Sequence, residues 1–311
     1  MPRKNFSVDD WVRRYLKEEE PRSKSLIVSV FGDAIAPYAA GVWLGGLIDL
    51  LAPLGVNERL VRTSAFRLVE EDWLSAQREG RRSHYSLTAS GIRRFDAAYS
   101  RIYTPPPQDW DGNWTVVILP RSNGDGGPDR LELRRELEWE GYASPTPGVL
   151  LHPAAKTEVL QQILDDLKLA ERAVAFSARS LEGFATESAL TLVESCWDLH
   201  DIGSRYLTFL QRFEPLHERL ASLGVSPAQA FAVQTLLIHS FRRATLHDPR
   251  LPQAMLPTDW PGLQAYRLCR EIYRVTYRPA QAHVRAVAGV DTSAVSSSRL
   301  GMRLHERFGG L

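Results

Sequence analysis

The sequence holds only two cysteines, Cys196 and Cys269, among its 311 residues. Two cysteines are too few for a disulfide framework, and these two lack the paired spacing of a zinc finger or zinc ribbon. We therefore expect reduced, buried thiols. The sequence predicts no metal site and no cofactor.

The sequence also lacks any run of about 18 apolar residues free of charges and prolines, so it predicts no membrane span. The N-terminal residues carry charges throughout and contain no apolar segment followed by a cleavage site, which excludes a secretory signal. Together these absences predict a cytoplasmic protein.

Net charge is nearly absent as well, because 38 Lys and Arg residues oppose 37 Asp and Glu residues and leave +1 at pH 7. A chain that binds polyanions over its whole surface needs concentrated positive charge, so a histone-like role is excluded but DNA binding by one basic domain is not. With 44% hydrophobic and 24% charged residues, the composition is that of a folded protein. The length predicts more than one domain.

Helical periodicity dominates the N-terminal part of the chain. A short amphipathic helix is predicted over residues 8–19, with Ser7 as its cap. Apolar residues at helical spacing predict a core helix over 23–36 and a second apolar helix over 41–54. A tight turn at Gly55-Val56 follows, of the kind that joins two crossed helices.

A third helix begins at Asn57, a favourable N-cap, and runs to about Glu70. One of its faces is apolar, and the opposite face carries Arg59, Thr63, Phe66 and Arg67, with Arg62 on the flank. Two strands around Gly80-Arg81-Arg82 predict a hairpin with a basic tip, and Thr88 caps a further helix. Three helices followed by a basic hairpin are the order of a winged helix-turn-helix.

Three consecutive prolines within residues 103–112 mark a linker to a second domain. The next segments have strand patterns at 114–119, 142–144, 148–152 and 173–178 and helix patterns at 129–140 and 156–167. This βαββαβ order is ferredoxin-like. The glycine-rich segment 122–129 is predicted to be a flexible loop.

The last part of the sequence is helical, with helices predicted near 188–201, 203–222, 227–245 and 261–277. A loop rich in Pro and Asp interrupts them at 247–262, and the Ser-rich stretch 291–300 is predicted to be frayed. The predicted fold class is therefore α+β and multidomain, with a winged helix-turn-helix at 21–102, a ferredoxin-like domain at 111–182 and a helical C-terminal effector and dimerisation domain at 186–288.

Three features carry a resemblance to a known family: the run VNERLVRTSAFRLVEEDWLSAQREGRRSHYSLTASG at 56–91, the βαββαβ unit, and DPRLPQAMLPTDWPG at 248–262. They resemble the PaaX-type family, the bacterial repressors of the phenylacetic acid catabolon, from Pro21 to about Val284. The resemblance implies a winged-helix domain, a central domain similar to the CRISPR-associated ferredoxin-like nucleases, and a helical C-terminal domain. It also implies a dimeric repressor that an aryl-coenzyme A thioester releases from DNA.

The central segment departs from those nucleases, which carry a metal-binding Asp at the end of the first strand. Here that strand ends Val117-Ile118-Leu119-Pro120, proline cannot ligate a metal, and Asp125 lies further out in the loop. We therefore expect a dimerisation or scaffolding domain without hydrolytic activity. The sequence also contains no Gly-rich phosphate loop, HExxH or nucleophile elbow, so no catalytic residue is predicted.

The polar face of the third helix and the hairpin tip are predicted to bind DNA. Arginine can contact guanine O6 and N7 in the major groove, and an arginine at a wing tip suits phosphate or minor-groove contact. The predicted DNA-binding residues are Asn57, Arg59, Arg62, Thr63, Arg67, Arg81 and Arg82. The alternative is a solvated surface, and Phe66 either contacts a thymine methyl group or packs under the wing.

A ligand site is predicted in the C-terminal part, where His239, Arg242, Arg243 and Trp260 offer phosphate-pairing groups and an aromatic wall. Alternatively these residues brace the fold. Cys196 and His200 lie four residues apart, but a core thiol beside a hydrogen-bonded histidine is favoured over a metal site.

The leading hypothesis is a homodimeric repressor that binds pseudo-palindromic double-stranded DNA and responds to an aryl-acyl-CoA such as phenylacetyl-CoA. The first alternative is a nucleic-acid-processing enzyme that acts through the ferredoxin-like domain. The second is an architectural DNA-binding protein without a ligand.

Overall fold

The computed structural model describes residues 6–119, 128–181, 186–220, 224–292 and 299–310. These residues form two compact units. The first unit comprises the described residues up to Pro105, then Leu207–Leu246, and the described residues from Gln264 onward. The second unit comprises Pro106–Tyr206 and His247–Leu263. Within the described ranges, no helix is long and apolar enough to cross a membrane.

The first unit begins with the predicted amphipathic helix, α1 (Val8–Glu18), whose Ser7 cap accepts a hydrogen bond from the Asp10 amide. Helix α2 (Ser23–Val30) continues directly into a π-helical turn over Phe31–Ile35. The predicted core helix over 23–36 is thus present, with a wider turn at its C-terminal end. Such turns carry one extra residue per turn and often mark functional or strained positions.

The predicted apolar helix over 41–54 is wrong in its first turn. Gly41–Trp43 is a strand, β1, and helix α3 begins only at Leu44 and ends at Leu51. The reason is a close backbone approach: a Cβ atom on Gly41 would lie 2.1 Å from the Tyr85 carbonyl oxygen, so the glycine lets β1 pair with a neighbouring strand.

After a 3-10 turn over Ala52–Leu54, Gly55 adopts a left-handed conformation with φ of 80°, which favours glycine. Helix α4 (Glu58–Glu70) then begins with Asn57 as its N-cap, as predicted. The hairpin follows as β2 (Leu74–Glu79) and β3 (Arg82–Leu87), in a sheet of order β1-β3-β2 with antiparallel neighbours. Thr88 caps α5 (Ala89–Tyr103).

The second unit contains the predicted βαββαβ segment. Its elements are β4 (Trp114–Ile118), α6 (Pro128–Trp139), β5 (Ala143–Thr146), β6 (Val149–His152), α7 (Thr157–Asp166) and β7 (Val174–Ala178). The sheet has the order β5-β6-β4-β7 and is antiparallel throughout. Most of the predicted flexible loop at 122–129 lies outside the described residues.

The helical part consists of α8 (Thr186–Cys196), α9 (Leu199–Leu220), α10 (Pro227–Thr245) and α11 (Gly262–Ala288). The predicted helix over 188–201 is therefore broken at Trp197-Asp198. Asp198 accepts a hydrogen bond from the Asp201 amide, which starts the next helix, while the Trp197 indole donates to the Gly141 carbonyl. Helix α11 extends past the predicted end at 277 and continues through Pro279.

The predicted domains do not coincide one to one with the compact units. Residues of the predicted C-terminal domain at 186–288 occur in both units, and those of α10 pack against α1, α2 and α5 in the first unit. Of the Ser-rich stretch 291–300, residues 293–298 lie outside the described ranges. A short helix, α12 (Arg299–Met302), and a 3-10 segment over Leu304–Gly309 follow and bury Leu304 and Phe308.

A buried ion pair joins this C-terminal segment to the rest of the first unit. Arg307 and Asp33 have side chains that are 0% and 5% exposed, and their Nη1 and Oδ1 atoms lie 3.0 Å apart. The same Asp33 oxygen accepts hydrogen bonds from the Tyr103 and Tyr273 hydroxyl groups, and Gln234 donates to the second oxygen. Both oxygens of this buried carboxylate are therefore hydrogen-bonded to protein groups.

We predict that Arg307→Met lowers the free energy of unfolding by about 3–5 kcal/mol, because it leaves the Asp33 charge buried without its counter-ion. Urea unfolding of the full chain measures this loss. The control is His305→Gln, an exposed position on the same segment, which should change stability by less than about 0.5 kcal/mol. A loss equally small for Arg307→Met would contradict the role of the pair.

Candidate nucleic-acid interface

Helix α4 has one buried side, which packs against neighbouring helices of the first unit. Val61, Ala65 and Leu68 are buried, as the sequence pattern predicted. Ser64 is also buried, and its hydroxyl lies 2.7 Å from that of Ser23 on α2. The apolar contacts and this hydrogen bond fix the rotation of α4, so they determine which residues face outward.

The outward side of α4 carries the predicted binding residues, all exposed: Arg59, Arg62, Thr63 and Arg67. Asn57 is occupied by capping, since its side-chain oxygen accepts the Leu60 amide. The Thr63 hydroxyl donates to the Arg59 carbonyl, and Arg62 forms an ion pair of 2.6 Å with Glu58.

Phe66 lies on the same outward side and is 59% exposed. Packing under the wing, one of the two alternatives for this residue, is therefore wrong. An aromatic side chain left in water at the centre of a cationic face is a surface feature that a partner would cover.

The hairpin places its arginines at the turn. Glu79 pairs with Arg82 across the strands, so Gly80 and Arg81 form a two-residue loop, and Gly80 has φ of 59°. Arg78, Arg81 and Arg82 are all exposed. Arg78 was not among the residues predicted from the sequence, and its Nε donates to the Gly80 carbonyl at 3.1 Å. Its position in the hairpin strand, paired with Ser83 close to the turn, was the signal that could have identified it.

Four guanidinium groups of α4 and the hairpin differ in their partners from those on α6 and α9. Arg134 and Arg205, on α6 and α9, form ion pairs of 2.6 and 2.8 Å with carboxylates one helical turn away. Arg59, Arg67, Arg81 and Arg82 form no ion pair or hydrogen bond through their guanidinium groups with any described residue. The first unit thus has an exposed cationic face with little internal neutralisation.

Two of the predicted ligand-binding residues are internal. His239 is buried, and its Nδ1 lies 3.2 Å from the Ser29 hydroxyl on α2. Arg242 donates to the same hydroxyl at 3.1 Å and to the Ser25 carbonyl at 3.3 Å. Burial, reinforced by the neighbouring Arg242 and Arg243 charges, lowers the pKa of His239 to about 3. These contacts support the alternative in which His239 and Arg242 brace the fold.

The other two predicted ligand-binding residues have different surroundings. Arg243 is exposed and forms an ion pair with Glu19, which also pairs with Arg212. Trp260 belongs to the second unit, where its ring lies 6.0 Å from that of Tyr206 at an angle of 79°. The four residues therefore do not lie in a single compact unit, and the predicted ligand site stays a prediction.

Cys196 and His200 are not on one helix, because α8 ends at Cys196 and α9 begins at Leu199. Cys269 is buried, and burial raises the pKa of its thiol. The described ranges contain no group of three His, Cys, Asp or Glu residues placed to hold a metal ion. Pro120 and Asp125, on which the expected lack of hydrolytic activity depends, lie outside these ranges.

Three family models match successive parts of the chain. Residues 22–91 match the PaaX-like protein model, residues 107–190 the PaaX protein central Cas2-like domain, and residues 197–286 the PaaX-like protein C-terminal domain. The chain is also 35% identical over 306 residues to the transcriptional repressor PaaX of Escherichia coli strain K12, covering 98% of this chain and 95% of that protein. The chain belongs to the PaaX family.

Among solved structures, this PaaX-family chain is similar to the uncharacterized protein Rv0674 from Mycobacterium tuberculosis. The two share 21% sequence identity with a TM-score of 0.46. The similarity covers 77% of this chain and 90% of that protein.

The lowered pKa of His239 predicts a pH-dependent stability for this PaaX-family protein. In the unfolded chain the imidazole takes up a proton as the pH falls below about 6.5, whereas in the folded chain it stays neutral until about pH 3. Stability is therefore lost as the pH falls through this window. We predict that His239→Gln removes about 2 kcal/mol of the loss between about pH 7 and pH 5.

Urea unfolding at both pH values measures this difference, and His200→Gln, an exposed position on α9, is the matched control. The control should lose stability on acidification as the parent chain does. If His239→Gln also kept the full loss, another group would be responsible for it.

Proposed function

We propose that this chain is a transcriptional repressor that binds double-stranded DNA through α4 and the β2–β3 hairpin, which act as the recognition helix and wing of a winged helix-turn-helix. The observation that carries the proposal is the exposed face of Arg59, Arg67, Arg81 and Arg82, whose guanidinium groups have no partner among the described residues. The name of the Escherichia coli relative supports repression as the outcome.

The dimensions of α4 suit a major groove. Its 13 residues span about 20 Å, and such a helix fits a groove about 12 Å wide. Arg59 lies in its first turn and Thr63 in its second, so both belong to the N-terminal half, the part of a recognition helix that approaches base edges. The ion pair between Arg62 and Glu58 leaves further guanidinium donors of Arg62 for a base or phosphate.

At the hairpin, Arg81 and Arg82 contact the phosphate backbone or the minor groove. Two-residue turns hold the strand ends in a fixed register, so the tip presents its charges at a defined distance from α4. Phosphate contacts of this kind position the protein on the duplex, whereas contacts from α4 carry the sequence preference.

We propose that the repressor acts in the cytoplasm as a homodimer, with the ferredoxin-like segment in a scaffolding and not a hydrolytic role. Two α4 helices then meet half-sites of a pseudo-palindromic operator about one helical turn, or roughly 34 Å, apart. An effector that favours a different spacing of the two helices releases the DNA.

An aryl-acyl-CoA such as phenylacetyl-CoA is the effector we propose, with His239, Arg242, Arg243 and Trp260 as candidate contacts. A phosphate that drew Arg242 away from Ser25 and Ser29 would loosen α10 from α2. Because Ser23 on α2 is hydrogen-bonded to Ser64 on α4, such a change reaches the recognition helix through direct contacts.

For the DNA contacts, we predict that Arg67→Ala costs about 1–3 kcal/mol of affinity for a duplex selected from a random pool and relaxes the preference at particular bases.

Arg81→Ala combined with Arg82→Ala should instead weaken binding to selected and random duplexes alike. It should also make the negative slope of log affinity against log salt shallower, by roughly 0.9 per lost phosphate contact.

Fluorescence anisotropy titrations at several salt concentrations measure both effects, with Arg135→Ala on α6 as the exposed control. If Arg67→Ala weakened both duplexes equally, Arg67 would be a phosphate contact. If no variant differed from the control, α4 and the hairpin would not be the DNA-binding surface.

For the effector, we predict that phenylacetyl-CoA binds the free protein more tightly than the DNA-bound protein, by about 1–3 kcal/mol, because an effector that lowers DNA affinity is bound more weakly by the complex. Calorimetric titration with and without the selected duplex measures this, with coenzyme A lacking the acyl group as control. Equal affinity in both states, or no binding, would contradict the proposed effector. Neither result would affect the proposed DNA contacts.

A further inference from the structure

A second row of arginines lies on α11, outside the winged-helix segment. The helix contains five arginines and one acidic residue, Glu271. At about 100° per residue, Arg267, Arg274, Arg278 and Arg285 lie within about 20° of one line along the helix. All four are exposed, whereas Ile272, Tyr273 and Thr276 on the other side are fully buried. The row spans about 27 Å.

The charges of this row are not neutralised by described carboxylates. Arg274 donates to the Gly310 carbonyl, and Arg285 donates to the Thr292 hydroxyl, both uncharged acceptors. The guanidinium groups of Arg267 and Arg278 have no partner among the described residues. The one acidic residue of the helix, Glu271, lies 3.1 Å from the His217 ring nitrogen.

The row and the winged-helix segment share the first unit. The C-terminal end of α11 touches α3, because a Cβ atom on Gly46 would lie 2.8 Å from the Cα of Ala288. Helix α3 in turn precedes α4 across the Gly55 turn. Arg285, three residues before Ala288, is thus at the end of α11 that lies beside the helix-turn-helix.

We propose that the arginine row of α11, formed by Arg267, Arg274, Arg278 and Arg285, is a second DNA-binding surface that contacts phosphates flanking the site bound by α4. This proposal rests on the proposed function and extends it. Duplex DNA fits the row because it carries one negative charge per about 1.7 Å of its axis. A phosphate therefore lies close to each of the widely spaced arginines. The contacts add affinity and salt dependence without sequence preference.

The test compares the salt dependence of binding to a random-sequence duplex for the full-length protein and for Arg267→Gln combined with Arg278→Gln. These two arginines have no described partner, so their loss should leave the thermal midpoint of unfolding unchanged. The magnitude of the negative slope of log affinity against log salt should fall by about 1.8, or 0.9 for each contact, while base preference on the selected duplex stays the same. Arg267→Lys with Arg278→Lys should restore most of the slope.

The matched control is Arg13→Gln combined with Arg14→Gln on α1, two exposed arginines whose loss changes the net charge equally. An unchanged slope in the α11 variant, or an equal fall in the control, would overturn the proposal. If the unaltered protein bound no duplex at all, the proposed function itself would be wrong. A parent that binds DNA with an α11 variant that behaves identically would remove only the second surface.

Discussion

The buried carboxylate of Asp33 joins segments from both ends of the chain. Its oxygens accept hydrogen bonds from α5, α10 and α11 and pair with Arg307 in the last described segment. Asp33 lies in the π-helical turn that follows α2, and α2 is the helix against which α4 packs. A charge buried in this way is tolerated only when every partner is in place, so the C-terminal segment and the helices around α4 form one structural unit.

The cationic surface is part of this unit. The apolar side of α4 and the hydrogen bond between Ser23 and Ser64 determine its orientation, and the two-residue turn fixes the hairpin tip. Because Arg59, Arg67 and the tip arginines lack described carboxylate partners, their charges are exposed to solvent and not neutralised by described carboxylates. Phosphate is the partner that such a surface fits best, since each contact releases counterions from the duplex.

The sequence predicted α4, its Asn57 cap, the hairpin and the βαββαβ order, because local signals determine these features: periodicity, capping side chains and a glycine turn. It did not predict β1, since the strand depends on a close approach of Gly41 to Tyr85, which is distant in sequence. Arg307 was missed for the same reason. A single arginine near the end of the chain carries no local sign that it pairs with Asp33 across 274 residues.

The side chain of Phe66 offers the most direct test of the claim that α4 enters a DNA groove. Phe66 is replaced by the photo-crosslinking amino acid p-benzoylphenylalanine, and the protein is irradiated while bound to a selected duplex. Leu131, an exposed residue on α6, receives the same replacement as a control. If α4 enters a groove, a covalent protein–DNA product forms from position 66 and none forms from position 131. Bound protein that gave no crosslink from position 66, or an equal one from position 131, would contradict it.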